Sequence, residues 1–283
     1  MVMKSLKGRV AVVTGAGSGI GRATSILLAG EGCHLALADI NEIGLTETLA
    51  QIGKTECKVT THVLDVSDLN AMTAFCNEVM EQHRAVHLLI NNAGVATSDL
   101  VEDGSLEDFE WIVGINFWGV VYGCKLFLPH LQKTDKAHIV NLSSIFGLAG
   151  IPSQAPYCST KFAVRGFTDS LRSELLGTHI TVSCVHPGGV DTNIEKNSRH
   201  RRSFCGATHE EMIAEFKKKT VNTPEQAAMA LVKGIKAGKA RIFIGWDSIF
   251  IDFLSRFFPV SYPKILRLLF KELRPVAPGS LII

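Results

Sequence analysis

Seven apolar segments that alternate with amphipathic stretches constrain the fold of this chain most strongly. Strands of a parallel sheet are apolar along nearly their whole length, because helices cover both faces of the sheet and connect one strand to the next. The sequence therefore predicts an α/β domain, a doubly wound parallel sheet of about seven strands with helices on both faces. The seven segments are RVAVVTG, HLALADI, KVTTHVLD, HLLINNAG, HIVNLSS, ITVSCVHPG and RIFIGW.

The length of the chain fits one large domain with two irregular parts. With 283 residues, 46% of them hydrophobic, the chain can bury a sizeable core. We predict a single domain over residues 1–245. Residues 193–222 are polar and longer than an ordinary connection, so we expect a substrate lid or insertion there. Residues 246–283 are rich in Phe, Ile and Leu and predict an apolar helical extension that walls a pocket, contacts another subunit or touches a membrane surface.

Charge and cysteine content argue against several classes of protein. A net charge of +2 gives no basis for a nucleic-acid partner. The seven cysteines are scattered, with no Cys-x-x-Cys pair and no His at ligand spacing, so neither a disulfide framework nor a metal site is predicted. The N-terminus is too polar before Val10 for a signal peptide, and no uninterrupted apolar run could span a membrane. We therefore expect a cytoplasmic protein.

Two basic clusters lie in the expected lid. A solvated face is the simpler interpretation of such clusters, and contact with an anionic substrate is the alternative. They comprise Arg199, Arg201 and Arg202, and Lys217 to Lys219.

A glycine-rich turn follows the first predicted strand, in VVTGAGSGIGRAT. Its spacing is Gly-x-x-x-Gly-x-Gly through Gly15, Gly19 and Gly21, and Ile20 stands where a Gly-x-Gly-x-x-Gly pattern would have its last glycine. Glycines let backbone amides approach a pyrophosphate at the start of the next helix. The turn is compatible with a dinucleotide site, although such turns also occur without a ligand.

Asp39 strengthens the dinucleotide interpretation and indicates which cofactor is bound. It ends the second predicted strand, where a carboxylate can accept hydrogen bonds from the adenosine ribose hydroxyls of NAD and would repel the additional phosphate of NADP. No basic residue follows at positions 40 and 41, and Ser18 rather than a basic residue lies inside the glycine turn. We predict NAD rather than NADP. The alternative is that Asp39 only caps a turn.

Tyr157 and Lys161 are candidates for proton transfer. Their spacing of four places them on one face of a helix. An ammonium about 4 Å from a phenol, at an effective dielectric near 20, is worth about 4 kcal/mol, or roughly three pKa units. We therefore expect Lys161 to lower the pKa of Tyr157 towards neutrality. The other two tyrosines, Tyr122 and Tyr262, have leucine at the corresponding position.

Taken together, these features resemble the short-chain dehydrogenase/reductase family over nearly the whole chain, to about Gly245. The resemblance implies a Rossmann-like fold and an oxidoreductase that uses a nicotinamide cofactor. The motifs that carry it are TGAGSGIG at 14–21, DV at 65–66, NNAG at 91–94, Asn116, SS at 143–144, YCSTK at 157–161 and HPGGVDT at 186–192.

The resemblance also implies the roles of the catalytic residues. Ser144 would hydrogen-bond the substrate oxygen, and Tyr157 would take the hydroxyl proton. Lys161 would lower the phenol pKa and bind the nicotinamide ribose, while Asn116 would anchor a water that passes the proton to solvent. Strand alternation turns Ser143, the neighbour of Ser144, to the opposite face.

The resemblance extends to the cofactor contacts. Asp65 and Val66 would contact the adenine, Asn92 the adjacent ribose region, and Val190 with Thr192 the nicotinamide carboxamide. We expect substrate contacts from Ser144 and Tyr157 and no metal. The full set of expected cofactor contacts is Gly15, Ser18, Gly19, Ile20, Gly21, Asp39, Asp65, Val66, Asn92, Gly94, Tyr157, Lys161, Val190 and Thr192.

The leading hypothesis is NAD-dependent interconversion of a hydrophobic secondary alcohol and its ketone, because the segments expected to line the substrate pocket are mostly apolar. A carbonyl or 3-oxoacyl-thioester reductase is the alternative, with the basic lid residues holding acidic groups. A non-catalytic nucleotide-binding or membrane-peripheral protein is a third reading, opposed by the presence of all four expected catalytic residues. We expect a homodimer or homotetramer.

Overall fold

The computed structural model describes residues 3–200 and 206–270. Its main sheet contains seven parallel strands in the order β3-β2-β1-β4-β6-β7-β9, and β5 pairs with β8 in a separate two-stranded sheet. The prediction of a doubly wound parallel sheet is confirmed. The strands are β1 (Val10–Thr14), β2 (His34–Asp39), β3 (Val59–Val63), β4 (Leu88–Asn91), β5 (Thr97–Ser98), β6 (Ala137–Leu142), β7 (Ile180–Pro187), β8 (Arg199–His200) and β9 (Arg241–Ile244).

Helices connect the strands and cover both faces of the main sheet. A π-helical turn at Gly114–Trp118 joins α4 to α5, and a short 3-10 turn at Ile145–Gly147 follows β6. The helices are α1 (Gly19–Gly30), α2 (Glu42–Ile52), α3 (Leu69–His83), α4 (Leu106–Val113), α5 (Gly119–Leu131), α6 (Ala155–Glu174), α7 (His209–Lys219), α8 (Pro224–Lys236), α9 (Trp246–Phe257) and α10 (Tyr262–Leu269).

Alternate side chains of the buried strands point into two hydrophobic cores. In β1, Ala11 and Val13 belong to the core that α1 and α8 complete, whereas Val10 and Val12 belong to the core beneath α3, α5 and α6. All residues of β1, β4 and β6 are buried. Burial on both sides explains why these strands are apolar along their whole length.

Residues Leu106–Leu131 form one continuous helical segment that is long and apolar enough to cross a membrane by length and composition. Val120, Phe127 and Leu131 in this segment are buried in the core beneath α3, α5 and α6. Since the core helices of globular proteins meet the same two criteria, this segment gives no argument for a membrane span.

The C-terminal extension packs on the loop that follows β6. Ile251 and Leu254 of α9 and Leu266 of α10 form a small core with Leu148 and Ala149. In the same region the Gly150 amide donates to the Tyr262 hydroxyl, with an N···O distance of 2.9 Å. The extension therefore supports the segment that carries the residues after Ser144.

Gly123 allows α5 to approach the sheet closely. A Cβ at this position would overlap with the side-chain oxygen of Asn91 at the end of β4. Asn91 cannot move freely, because its Nδ2 donates to Asn141 Oδ1 across the buried sheet at 2.8 Å. The close contact between helix and strand therefore requires glycine.

We expect Gly123→Ala to lower the free energy of unfolding by about 1 to 3 kcal/mol, since an extra methyl group forces a shift in a packed core. Gly166 provides a matched control, because it lies inside α6 and a Cβ there would meet no atom within 4 Å. Gly166→Ala should raise stability by roughly 0.5 to 1 kcal/mol through the higher helix propensity of alanine. Denaturant unfolding measures both changes. Equal stabilisation by the two substitutions would contradict this account of α5.

Candidate active site

A cavity of about 590 Å³ lies along the carboxyl ends of the central strands. The strand order reverses between β1 and β4, and ligands of open α/β sheets bind in the crevice at such a switch point. Of the residues predicted to bind cofactor or substrate or to act in catalysis, all line this cavity except Gly21 and Asn116. The fold thus brings predicted site residues as far apart in the chain as Gly15 and Thr192 into one cavity.

The glycine turn leaves the start of α1 open towards the cavity. Gly15 and Gly19 have φ angles of 65° and 52°, which disfavour other residues. Ser18 is extended and makes no side-chain capping bond, and no acidic residue lies in the first turn. The first amides and the positive end of the helix dipole therefore suit a pyrophosphate. Gly21 lies behind this surface, where a Cβ would overlap with the Gly15 carbonyl.

Asp39 both holds the glycine turn and lines the cavity. Its Oδ2 accepts from the Gly17 amide at 2.8 Å, and its Oδ1 accepts from the Asn41 amide at 2.9 Å. The turn-capping role considered from the sequence is therefore present, and the remaining lone pairs of the carboxylate can still accept hydrogen bonds. Among the cavity-lining residues that the structure describes, the only Lys or Arg are Lys161 and Lys219, neither next to Asp39 in the chain.

The other expected cofactor contacts surround the same cavity. Asn92 Nδ2 donates to the carbonyl oxygens of Thr14 and Gly15 at 2.9 and 3.0 Å, so this residue also fixes the glycine turn. Asp65 Oδ1 accepts from both the amide and the hydroxyl of Ser67. Four further residues expected to contact the cofactor line the cavity: Val66, Gly94, Val190 and Thr192.

Ser144, Tyr157 and Lys161 meet in the cavity. Ser144 follows β6 directly, whereas Tyr157 and Lys161 lie in the first two turns of α6. The Ser144 hydroxyl lowers the pKa of Tyr157 and so favours the ionised phenol. Ser143 points elsewhere, since its hydroxyl donates to the Lys161 carbonyl at 2.8 Å. The Lys161 Nζ donates to the Leu142 carbonyl at 3.1 Å.

Burial dominates the proton affinities of this group. It raises the pKa of Tyr157 to about 12, against the lowering effect of Ser144. It also lowers the pKa of Lys161 to about 8, because the ammonium is removed from water. The expectation that Lys161 brings the phenol pKa towards neutrality is therefore wrong for the protein alone. The Lys161 nitrogen lies 5.6 Å from the centre of the phenol ring.

Asn116 lies behind the cavity, fully buried, in the π-helical turn. Its Oδ1 accepts from the Val95 amide at 2.8 Å, and its Nδ2 donates to the Val95 carbonyl at 2.9 Å. A Cβ on Gly94 would lie 3.2 Å from Asn116 and 3.3 Å from Lys161, so a glycine there lets both residues approach. Asn116 thus fixes the segment after β4, and a water-anchoring role stays a prediction.

The expected lid covers the apolar end of the cavity. It contributes β8, which pairs with β5 beyond the NNAG motif, and α7. Apolar residues from the lid and from the segments after β4 and β6 face each other there. They are Val95, Ala96, Phe146, Ile151, Ile194, Met212 and Phe216.

Two basic residues of the lid form ion pairs within the protein, and a third lines the cavity. Arg199 forms an ion pair with Asp108 at 2.6 Å and stacks on Trp111, with 3.8 Å from the guanidinium carbon to the ring centre. Lys218 pairs with Glu215 at 2.7 Å, whereas Lys219 lines the cavity. Arg201 and Arg202 lie outside the described residues. Arg199 is therefore engaged with Asp108 and does not support the anion-binding interpretation.

Several cavity residues have no signal in the sequence. Gln154 and Glu195 are both 8% exposed and line the cavity, yet neither belongs to a motif. Residues of α9 and α10 do not line the cavity; in the part of the extension that the structure describes, they support Ile145 and Ile151, which do. Their position follows from tertiary packing, which local patterns do not encode.

Known proteins resemble this chain in sequence. The family described as short chain dehydrogenase matches residues 9–203. A protein of Mycobacterium tuberculosis (strain ATCC 25618 / H37Rv) named "Putative oxidoreductase SadH" is 39% identical over 268 residues, which cover 93% of this chain and 96% of that protein. Estradiol 17-beta-dehydrogenase 11 of Homo sapiens is 35% identical over 271 residues, with 93% and 84% covered.

A solved structure extends the similarity to three dimensions. The short chain dehydrogenase/reductase from Burkholderia phymatum in complex with NAD is 27% identical, and its structure superimposes with a TM-score of 0.84 over 99% of this chain and 100% of that one. Family match, relatives and fold agree, and the protein belongs to the short-chain dehydrogenase/reductase family of oxidoreductases.

Proposed function

We propose that the protein is an NAD-dependent oxidoreductase that interconverts a hydrophobic secondary alcohol and its ketone, with Tyr157 as the acid and base. The observation that carries the proposal is the meeting of Ser144, Tyr157 and Lys161 in one cavity that also contains the glycine turn and an apolar, lid-covered end. One relative is named for the dehydrogenation of estradiol, and one solved relative contains NAD, which supports the same reaction and cofactor.

The residues present fit a nicotinamide dinucleotide. The open start of α1 would hold the pyrophosphate and Asp39 the ribose hydroxyls, while Lys161 would hold the ribose next to the nicotinamide. Val190 and Thr192 would hold the carboxamide. When bound, the nicotinamide supplies a hydride acceptor for alcohol oxidation and a hydride donor for ketone reduction.

The side chains of Tyr157 and Ser144 act on the reacting oxygen of the substrate, and Tyr157 transfers one proton. In oxidation the Tyr157 oxygen takes the proton of the alcohol, and in reduction it returns a proton to the carbonyl oxygen. The Ser144 hydroxyl donates a hydrogen bond to the same substrate oxygen. With a pKa of about 12 in the protein alone, Tyr157 holds its proton firmly, so oxidation requires positive charge near the phenol. Lys161, with a pKa of about 8, is charged at neutral pH but leaves the phenol pKa high in the protein alone, so the bound oxidised nicotinamide would have to add further positive charge.

The alternative of a 3-oxoacyl-thioester reductase has less support. It requires cations near the substrate, whereas Arg199 and Lys218 are paired with Asp108 and Glu215, and Lys219 is the one described lid cation that lines the cavity. The apolar walls favour a substrate without acidic groups.

Asp39→Asn tests the choice of cofactor. We expect the wild-type protein to use NAD at least about 100-fold better than NADP, and the variant to lose roughly tenfold or more of that preference, because a charged acceptor strengthens hydrogen bonds to the ribose and repels a phosphate. The ratio of kcat/KM for the two cofactors is the measurement. Asp68→Asn is a matched control, since Asp68 caps α3 and does not line the cavity. A wild-type preference for NADP would contradict the assignment.

Tyr157→Phe tests the proton-transfer role. Loss of a general acid and base should lower kcat by roughly 100- to 10,000-fold, while the Kd for NAD changes little. Steady-state kinetics and calorimetry measure the two quantities. Tyr122→Phe is the control, because Tyr122 stacks on Trp118 and does not line the cavity. A Tyr157→Phe variant with wild-type turnover would show that another group moves the proton.

A further inference from the structure

Glu195 places a buried carboxylate in the wall of the substrate cavity. It lies in the lid before β8, lines the cavity and is only 8% exposed. Its Oε1 has no hydrogen-bond partner in the part of the chain that the structure describes. Buried polar atoms are nearly always hydrogen-bonded, so an acceptor of this kind indicates a missing donor.

The main chain of Glu195 is anchored independently of its carboxylate. His209 Nε2 donates to the Glu195 carbonyl at 3.0 Å, which ties the loop to α7. The preceding residue, Ile194, packs against the cluster formed by Ala96, Ile112 and Tyr157. The loop is thus held in place by contacts that do not use the Glu195 carboxylate, and Oε1 keeps no hydrogen-bond partner among the described residues.

The carboxylate and the reacting phenol influence each other across the cavity. The negative charge of Glu195 contributes to the raised pKa of Tyr157. Burial raises the pKa of Glu195 itself, and the nearby His209 opposes this effect. Because Ser144, Tyr157 and Glu195 line the same cavity, a substrate held at Ser144 and Tyr157 can extend to Glu195 under the lid.

We propose that Glu195 is a second anchoring point for the substrate and that the substrate carries, besides the reacting alcohol or ketone, a hydroxyl group that donates a hydrogen bond to this carboxylate. The inference rests on the proposed function, because the reacting oxygen defines the other end of the substrate. A hydroxyl fits better than an ammonium group, since a neutral donor costs less to transfer into apolar surroundings.

The proposal predicts discrimination between substrates with and without the additional hydroxyl. A site built to bind a hydroxyl rejects analogues that lack it, because its own polar group is then left unpaired. A hydrogen bond to a charged acceptor corresponds to roughly a 10- to 100-fold preference.

The test uses apolar secondary alcohols of graded chain length, each paired with the diol that has another hydroxyl at its far end. The kcat/KM with NAD is measured for each compound. The Kd of each compound for the protein saturated with NADH is measured by calorimetry, because the reduced cofactor cannot accept a hydride and the alcohols then bind without reacting. We expect one chain length at which the diol is favoured roughly 10- to 100-fold in both quantities.

Two substitutions at position 195 test whether Glu195 causes the preference for the diol. Glu195→Leu should abolish the preference for the diol and bind the simple alcohol at least as well as the wild type does. Glu195→Gln keeps the size of the side chain and one acceptor oxygen, so it should retain a smaller preference for the diol over the simple alcohol. This variant provides the test if Glu195→Leu fails to fold. Glu215→Gln is the matched control, because Glu215 also lines the cavity but is 41% exposed and paired with Lys218.

The outcomes separate this inference from the proposed function. Equal Kd values for every alcohol and diol pair, or a preference that survives in Glu195→Leu, would overturn the role of Glu195. Tighter binding of the matching amino alcohol than of the diol would overturn the assignment of a hydroxyl. A diol preference in calorimetry without turnover of any alcohol would contradict the proposed function and support the second anchoring point.

Discussion

The hydrogen bonds of Asn92 join the two halves of the molecule on which the candidate site depends. Its side chain donates to the carbonyl oxygens of Thr14 and Gly15, and its amide donates to the Thr14 hydroxyl at 3.0 Å. These bonds tie the end of β4 to the end of β1, where the strand order reverses. They therefore fix the position of the glycine turn relative to the segment after β4. Gly94 in that segment lies close to both Asn116 and Lys161.

The second half of the site is governed by burial. Tyr157 and Lys161 lie in the wall of an apolar cavity, which raises the pKa of the phenol and lowers the pKa of the ammonium. Both effects disfavour the charged pair that alcohol oxidation requires. If Val190 and Thr192 hold the nicotinamide as proposed, its oxidised ring would add positive charge near the phenol, and that charge would favour the phenolate. In the proposed mechanism, the apolar surroundings would therefore make proton transfer depend on the bound cofactor.

Short sequence patterns predict those features of the structure that depend only on residues close together in the chain. The seven strands follow from continuous apolar runs, the glycine turn from its spacing, and the Tyr157 and Lys161 pair from helix periodicity. The π-helical turn at Asn116 has no such pattern, and the apolar environment of Tyr157 arises from segments distant in sequence, Ile194 among them. For that reason the sequence predicts the wrong direction for the phenol pKa, and no local pattern indicates that Glu195 lines the cavity.

A titration of the Tyr157 phenol tests the central claim, that this residue moves the proton under the control of the cofactor. The chain has only three tyrosines, so the near-ultraviolet absorbance of phenolate can be followed in the wild type and in Tyr157→Phe, each with and without NAD. We predict that the pKa of Tyr157 lies above its ordinary value of about 10 in the protein alone and falls below it when NAD binds. A pKa that NAD leaves unchanged, or an equal change in the Tyr157→Phe variant, would contradict the account.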